Sequence, residues 1–360
     1  MEAFSDIFVD QTSAGVKIPK EEYLENGKHI IVDQGQNPIA GYTNRETGLY
    51  TDVPAIVFGD HTRIIKYVDK PFFLGADGVK LLKSKKEKAN YKYLYYALKN
   101  ARIPNTGYNR HFKWLKEVFV EYPDADRQKM VVDILDRISE VIDKRHQVIH
   151  YLDELIKARF VELFGDMADP MCKWDKCKLV DACSDPNDIK CGPFGTQLEK
   201  DEYTTSGVEV WEIPQINSEF RTMPTHFVTR EKAMDLEQYS IKPGDIAMSR
   251  KGNVGRCAVF PETFEKGIIH SDVLRIRVDN SRVAPVFMMR QLHYSGDIQH
   301  QIELVSSGAI MAGINVTKLK DIIVYIPPKE LQDEFVSFVK QVDKSKFERF
   351  VNNHHSLSSQ

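Results

Sequence analysis

Paired cysteines, long apolar runs and the familiar catalytic signatures are all missing from this 360-residue chain, and each absence removes a class of function. Four of the five cysteines group at Cys172, Cys177, Cys183 and Cys191, with Cys257 apart. Their spacing lacks the CxxC knuckles of a structural zinc site. Free, reduced thiols are therefore expected, as in a cytosolic protein. No apolar run approaches the ~20 residues that cross a bilayer, so no membrane association is expected. The opening MEAFSDIFVDQ has no basic segment followed by an apolar one, and the cytoplasm is the expected compartment.

No Gly-rich turn with a following acidic residue marks a dinucleotide or S-adenosylmethionine site. SRKGNVGR (Ser249–Arg256) lacks the GK[ST] ending of a phosphate-binding loop, and neither HExxH nor GxSxG occurs. There is no DPPY- or NPPF-like tetrapeptide of an amino-methyltransferase; Tyr325-Ile326-Pro327-Pro328 only echoes one. Pro123-Asp124 with Asp126 and Lys129 hints at a nuclease motif, but the related stretch Pro327-Pro328-Lys329-Glu330 shares only the proline. The expectation is a chain without catalysis or metal of its own.

What is present is the composition of a globular protein, 42% hydrophobic and 28% charged, long enough for two domains with separate cores. A net charge of -3 argues against a purely electrostatic DNA binder, though not against specific binding through segregated patches.

The strongest signal is an internal repeat. NRHFKWLKEVFVEYPDADRQK (Asn109–Lys129) and INVTKLKDIIVYIPPKELQDE (from Ile314) share a spacing at an offset of 204 residues: Leu115 falls on Leu319, Lys116 on Lys320, Glu117 on Asp321, Val120 on Val324, Pro123 on Pro327 and Gln128 on Gln332. Farther upstream, ADGVKLLKS (Ala76–Ser84) parallels HSDVLRIRV (His270–Val278). A helix-like stretch and a Gly-containing polar loop follow in both copies. The scaffold is duplicated, and its front portions have drifted apart.

Beyond Pro123, apolar residues recur every three to four positions to Phe164, which predicts a helix roughly 60 Å long with Pro at its start and Gly165 and Pro170 at its end. A second arm starts at Pro327-Pro328, with Phe335, Phe338, Val339, Val342, Phe347 and Phe350 as its stripe, and fades by about Val351. Such stripes need a partner helix, and antiparallel pairing of the two arms supplies one. Because the second arm is shorter, part of the first stripe is left for another protein. The segments between are short β-prone runs with turn residues. The expected fold class is α+β: two tandem domains, each with a curved, mostly antiparallel sheet and one or two helices, each followed by a long helix, the two helices packing as an antiparallel coiled coil.

Six polar loops stand at matching places in the two copies. They are GQNPIAGYTN (Gly35–Asn44), GDHTR (Gly59–Arg63) and TGYNRH (Thr106–His111) in the first, and GPFGTQL (Gly192–Leu198), SRKGNVGR and SSGAIMAGIN (Ser306–Asn315) in the second. Arg, Lys, Asn and Gln pair with base edges, while hydroxyls and loop N–H groups reach phosphates.

Two variable domains, each leading into a long helix through a Leu-Lys-acid, apolar strand, Pro, x4, Gln junction, resemble the DNA-specificity subunit of type I restriction–modification systems. GPFGTQL with Tyr203, GDIAMSRKGNVGRCAV (Gly244–Val259) and INVTKLKDIIVYIPPKELQ carry the resemblance most specifically. It implies target recognition domains at residues 1–122 and 166–326, with spacer helices at 123–165 and 327–356 that set the gap between two half-sites. The implied partners are double-stranded DNA, methyltransferase (modification) subunits and restriction/translocase subunits. S-adenosylmethionine, ATP and magnesium are expected on those partners, with no cofactor on this chain. The residues expected to contact DNA are Arg250, Lys251, Asn253 and Arg256, then Thr196 and Gln197, Asn109 and Arg110, Arg63, and Gln36 with Asn37, and further Ser307 and Asn315. The competing reading is a non-catalytic protein-interaction scaffold with a helical clamp.

Overall fold

The computed structural model describes residues 1–75, 78–107, 109–167, 169, 171–306 and 313–356, with side chains described through Lys346. The chain divides into two compact units, Met1–His146 and Gln147–Gln360.

In the first unit, an antiparallel sheet runs in the order Phe8–Asp10, Val79–Ser84, Ala55–Gly59, Ile65–Val68. A second sheet runs Gly41–Thr43, His29–Val32, Phe72–Leu74, its last pair parallel. The strand Ala55–Gly59 is buried along its whole length, which is why AIVFG is a continuous apolar run and not an alternation. Ile56 and Phe58 pack with Phe4, Phe8, Leu94 and Phe112. Val57 points the other way, into a cluster with Val32, Phe72 and Leu74 of the second sheet.

The second unit repeats this plan. Its main sheet runs Ile189–Cys191, Val273–Ile276, Ile246–Ser249, Cys257–Val259. The other runs Phe227–Val228, Val208–Trp211, Gly267–Ile269, Ser240–Ile241, again with a central parallel pair. Ile246 and Met248 enter one core and Ala247 the other. The drifted front portions thus keep one strand order. Each half holds two main sheets where one was expected, besides a two-stranded pair at its junction, and the second adds the helices Ile213–Asn217, Arg230–Asp235 and Gly296–Ser306. The first two of these are too short to show a helical period.

The repeated junction explains itself residue by residue. Leu115 and Leu319 lie in one-turn helices, Phe112–Leu115 and Val316–Lys320, and are fully buried. The strands that follow, Phe119–Val120 and Ile323–Ile326, pair antiparallel with Glu2–Ala3 and Asp175–Lys178. The proline-to-glutamine spacing is a side-chain bracket. Gln128 Nε2 donates to the Pro123 carbonyl at 2.8 Å, and Gln332 Nε2 donates to that of Pro327 at 2.7 Å. Gln332 also accepts from the Ala284 N–H at 2.9 Å and donates to the Arg282 carbonyl at 3.2 Å. The amide turns the chain from strand into helix and pairs polar backbone groups that the corner would otherwise strand.

The first arm is the helix Ala125–Phe164. Asp124 accepts from the Arg127 N–H at 2.9 Å as its N-cap. Gly165 closes it at φ +74, in the left-handed region that favours glycine; Pro170 lies outside the described residues. The second arm is Lys329–Ser356, and the side chains of Phe347 and Phe350 lie outside the description. Within the second unit, Ile156, Phe160 and Phe164 share a core with Phe335, Val339 and Val342. Phe160 and Phe335 ring centroids stand 5.5 Å apart. Arg159 pairs with Glu334 and Asp153 with Lys346: as one number rises the other falls, so the helices run antiparallel.

The first unit differs at the equivalent surface. Val131, Leu135, Ile138 and Ile142 correspond, at the offset of 204, to Phe335, Val339, Val342 and Lys346. They line an open groove of about 1180 Å³ with Tyr96, Ala97, Trp114 and Phe119. Met130, Ile134, Ile138, Val141 and Ile142 are each about half exposed along the arm, as the unequal arm lengths led us to expect.

Gln332→Ala should lower the stability of the second unit by about 2–3 kcal/mol, because it strands the buried Ala284 N–H and two carbonyls. Gln128→Ala, which removes one hydrogen bond, should cost about 1 kcal/mol. Chemical denaturation of the two variants checks the order; equal losses would contradict the bracket.

Candidate nucleic-acid interface

In the first unit the three loops named from sequence are tied together. Gln34, ahead of the GQNP turn, accepts from the His61 N–H at 3.2 Å through its side chain. Its carbonyl accepts from Thr62 Oγ1 at 2.7 Å. A Cβ at Gly59 would lie 2.8 Å from Gln34 Cβ, so only glycine fits there. The loop before the junction is held by buried His111, whose N–H donates to the Asp60 carbonyl at 2.8 Å. The Phe112 N–H donates to the Asp60 carboxylate at 2.7 Å. On this base, Gln36, Asn37, Asn109 and Arg110 are exposed. The Asn37 carbonyl accepts from Lys66 Nζ at 2.6 Å, and burial pulls that ammonium's pKa down. Arg63 is half-buried at φ +62, and its guanidinium donates to the Ile103 carbonyl at 3.3 Å.

In the second unit Arg250 is the meeting point. Its Nε donates to the Ile314 carbonyl at 3.1 Å, and its guanidinium lies 4.9 Å from the Phe194 ring centroid. GPFGTQL, SRKGNVGR and the loop ending at Asn315 therefore meet on one side chain. Around it, Lys251 pairs with Asp272 at 2.7 Å and Arg256 with Glu219 at 3.2 Å. The cations of both pairs are exposed, though Asp272 is half-buried, and both are open to exchange for phosphate oxygens. Thr196 and Asn253 are exposed and make no side-chain hydrogen bond among the described residues. Gln197 spends its carbonyl on the Phe194 N–H and the Tyr239 hydroxyl. Asn315 caps the junction helix by accepting from the Lys318 N–H at 3.1 Å. Ser307 lies outside the described residues, as do residues 308–312 of the same loop.

The strand registers show which loops correspond. Gly59 and Ser249 both face the first residue of the neighbouring strand, Val79 and Val273. GDHTR and SRKGNVGR are therefore the same hairpin, and TGYNRH and SSGAIMAGIN the same pre-junction loop. The third pair does not match. GQNPIAGYTN follows the strand His29–Val32, whose counterpart Val208–Trp211 leads into the helix Ile213–Asn217. GPFGTQL follows Ile189–Cys191, and its counterpart follows Phe8–Asp10. There the chain reads GVKIPKEEY (Gly15–Tyr23) against GTQLEKDEY (Gly195–Tyr203), and Lys20–Glu22 and Lys200–Glu202 form the same single turn. Sequence reasoning missed this second repeat because its offset, 180, differs from 204: insertions in the second unit break the frame. Lys17 and Lys20 thereby join the candidate surface.

Other cations are structural. Arg275, 4% exposed, donates to the carbonyls of Asn187 at 2.9 Å and Ser240 at 2.7 Å. Arg277 grips the Asp245 carboxylate with two hydrogen bonds. Burial pushes the Cys183 and Cys257 thiols up to about 12. Among the described residues no group of three His, Cys, Asp or Glu could hold a metal ion.

A family model described as "Type I restriction modification DNA specificity domain" matches the chain twice, over residues 5–151 and 187–353. Among solved structures, the chain is similar to the S subunit of a type-I restriction-modification system from M. genitalium. The two are 17% identical, 99% of this chain and 92% of that chain are covered, and the TM-score is 0.56. It is also similar to the HsdS subunit from Thermoanaerobacter tengcongensis, at 16% identity, coverage of 89% and 84%, and a TM-score of 0.41. A third similar chain comes from work on complex assembly in a type I R-M system, at 15% identity, coverage of 99% and 95%, and a TM-score of 0.47. At 17% identity the first of these likenesses is one of fold. No curated protein sequence matches the chain.

Behind the SRKGNVGR hairpin, His293 Nε2 accepts from the Cys257 N–H at 3.2 Å, a bond that only the ring unprotonated at Nε2 can make. Burial first, then the cations Arg256 and Arg290, pull its pKa down to about 4. Between pH 6.5 and 4 the unfolded chain takes up a proton that the folded chain refuses, so stability falls as pH falls through that window and is unaffected above it. The loss should be on the order of 3 kcal/mol. His293→Gln, which keeps an acceptor without titrating, should flatten it. Parallel pH profiles of thermal stability for parent and variant would refute this.

Proposed function

The chain belongs to the family of type I restriction–modification DNA specificity domains, and on that premise we propose that it is the sequence-specific DNA-binding subunit of a type I restriction–modification complex. The observation that carries this is that the family match falls on both copies of a duplicated domain, each with polar loops gathered around one hairpin. Recognition domains at residues 1–122 and 166–326 would each read a half-site of roughly 3 to 5 base pairs, mainly in the major groove. Lys251, Asn253, Arg256, Thr196 and Gln197 serve the second half-site. Asn109, Arg110, Arg63, Gln36 and Asn37 serve the first, with Lys17 and Lys20 added from the registers above. The spacer helices at 123–165 and 327–356 set the unread gap, at ~1.5 Å per residue of helix against ~3.4 Å per base pair.

Methylation and cleavage belong to partner subunits. The methyltransferase subunit brings S-adenosylmethionine and flips the target adenine; the restriction/translocase subunit brings ATP and magnesium. The groove beside Val131, Leu135, Ile138 and Ile142 docks a methyltransferase helix. The reason is that the matching surface of the second unit is already covered by Ile156, Phe160 and Phe164.

Deleting the chain from its source cell should remove one bipartite methylation motif from the genome, read by sequencing of modified bases. An unchanged methylome would overturn the reading. Ile138→Asp with Ile142→Asp, at half-exposed positions, should weaken association with the methyltransferase subunit tenfold or more while thermal stability is kept. Undiminished co-purification would remove the groove from the docking surface.

A further inference from the structure

We propose that Arg250 is a positioning residue: it latches the three reading loops of the second unit to one another and does not itself contact DNA. This rests on the DNA-binding reading above, and the two can fail separately.

Arg250 touches three separate segments. Its N–H donates to the Asp272 carbonyl at 2.9 Å, and its carbonyl accepts from the Ile314 N–H at 3.1 Å. Its Nε–H returns to the Ile314 carbonyl at 3.1 Å, and the guanidinium plane covers Phe194 at 4.9 Å. The side chain thus runs from the hairpin back to the pre-junction loop and across the GPFGTQL loop. Its neighbours Lys251 and Asn253 are exposed.

The other copy of the repeat gives independent support. The register that sets Gly59 on Ser249 sets Asp60 on Arg250. Asp60 makes two closely matching backbone bonds, from its N–H to the Gly78 carbonyl at 2.7 Å and, one residue further along the repeat, from the His111 N–H to its carbonyl at 2.8 Å. Its carboxylate also reaches the pre-junction segment, accepting from the Phe112 N–H at 2.7 Å, and the residue is 3% exposed. A buried acid cannot serve as a phosphate contact. What an acid and a cation share at this position is the reach from hairpin to junction: the acid accepts from a helix-start N–H, and the arginine donates to a carbonyl. The chemistry of the latch changed between the copies while its span was kept.

The test uses the chain in complex with its methyltransferase subunit and a duplex carrying the bipartite motif. Arg250→Ala, Arg250→Lys and Lys251→Ala are compared across a salt series and a panel of single base-pair changes in the second half-site. A latch needs the planar Nε–H and the stacked guanidinium, so Arg250→Lys should fail as Arg250→Ala does. Both should lose discrimination tenfold or more, spread over several base pairs, with the parent's salt slope. Lys251→Ala should instead lower that slope by about 0.9, the loss of one phosphate contact, and keep base preference. Rescue by lysine, a changed salt slope for Arg250→Ala, or relaxation at a single base pair would overturn the proposal. Hydrogen exchange on the DNA-free complex gives a second readout: Arg250→Ala should speed exchange in residues 192–198 and 313–315, and unchanged protection there would also overturn it. A failure of the DNA-binding reading would show in the parent complex, which would then not prefer the bipartite duplex.

Discussion

The structure depends on one polar corner, made twice. Where a strand ends and a long helix begins, a carbonyl and several N–H groups come free at once, and burying them unpaired would cost more than the corner gains. A glutamine in the first turn of the helix bonds back to the proline carbonyl, at 2.8 Å in one copy and 2.7 Å in the other. The direction of each arm relative to its sheet follows from that bond. So does the placement of the pre-junction loop, because Leu115 and Leu319, buried just upstream, anchor the one-turn helix between them.

Above the corner, a central strand is buried between two apolar clusters in each unit. Burial on both faces holds its register, since a one-residue slip would exchange the two sets of side chains. The hairpin leaving that strand is therefore fixed in place, and the variable loops are hung on it. Neutral and charged solutions to the same problem coexist. Where the first unit sets Leu81 between its sheets, the second sets Arg275, whose guanidinium binds four backbone carbonyls. Asp60 and Arg250 are a second such exchange. Because both side chains span from the hairpin to the pre-junction segment, the charge at this position was free to change sign.

The duplication also shows where the units stop being equivalent. In the second, aromatic residues of the first arm fill the space beside Phe335. In the first, Val131, Leu135, Ile138 and Ile142, at the positions of Phe335, Val339, Val342 and Lys346, line an open groove. Met130 and Ile142 stand where the second unit has Glu334 and Lys346, each engaged in an ion pair. The uncovered face is thus more apolar than its covered twin, which suits a protein partner better than solvent.

The sequence by itself determined the duplication, both long helices, the glycine end of the first and the junction spacing, because these are local periods and fixed offsets that survive drift. Gly165 ends the first arm as its position announced, while the capping role of Asp124 and the bracket made by the two glutamines came from the structure. It also singled out the hairpin loops as polar and Gly-rich. It could not say which loops correspond, since inserted helices shift the offset from 204 to 180, and only strand register restores the match of Gly15–Tyr23 with Gly195–Tyr203. Nor could it separate exposed side chains from those committed to the scaffold. Arg250 and Gln197 look like free polar groups in a string of letters. Their hydrogen bonds are to segments up to 64 residues away, and such long-range pairings exist only once the sheets have brought the loops together.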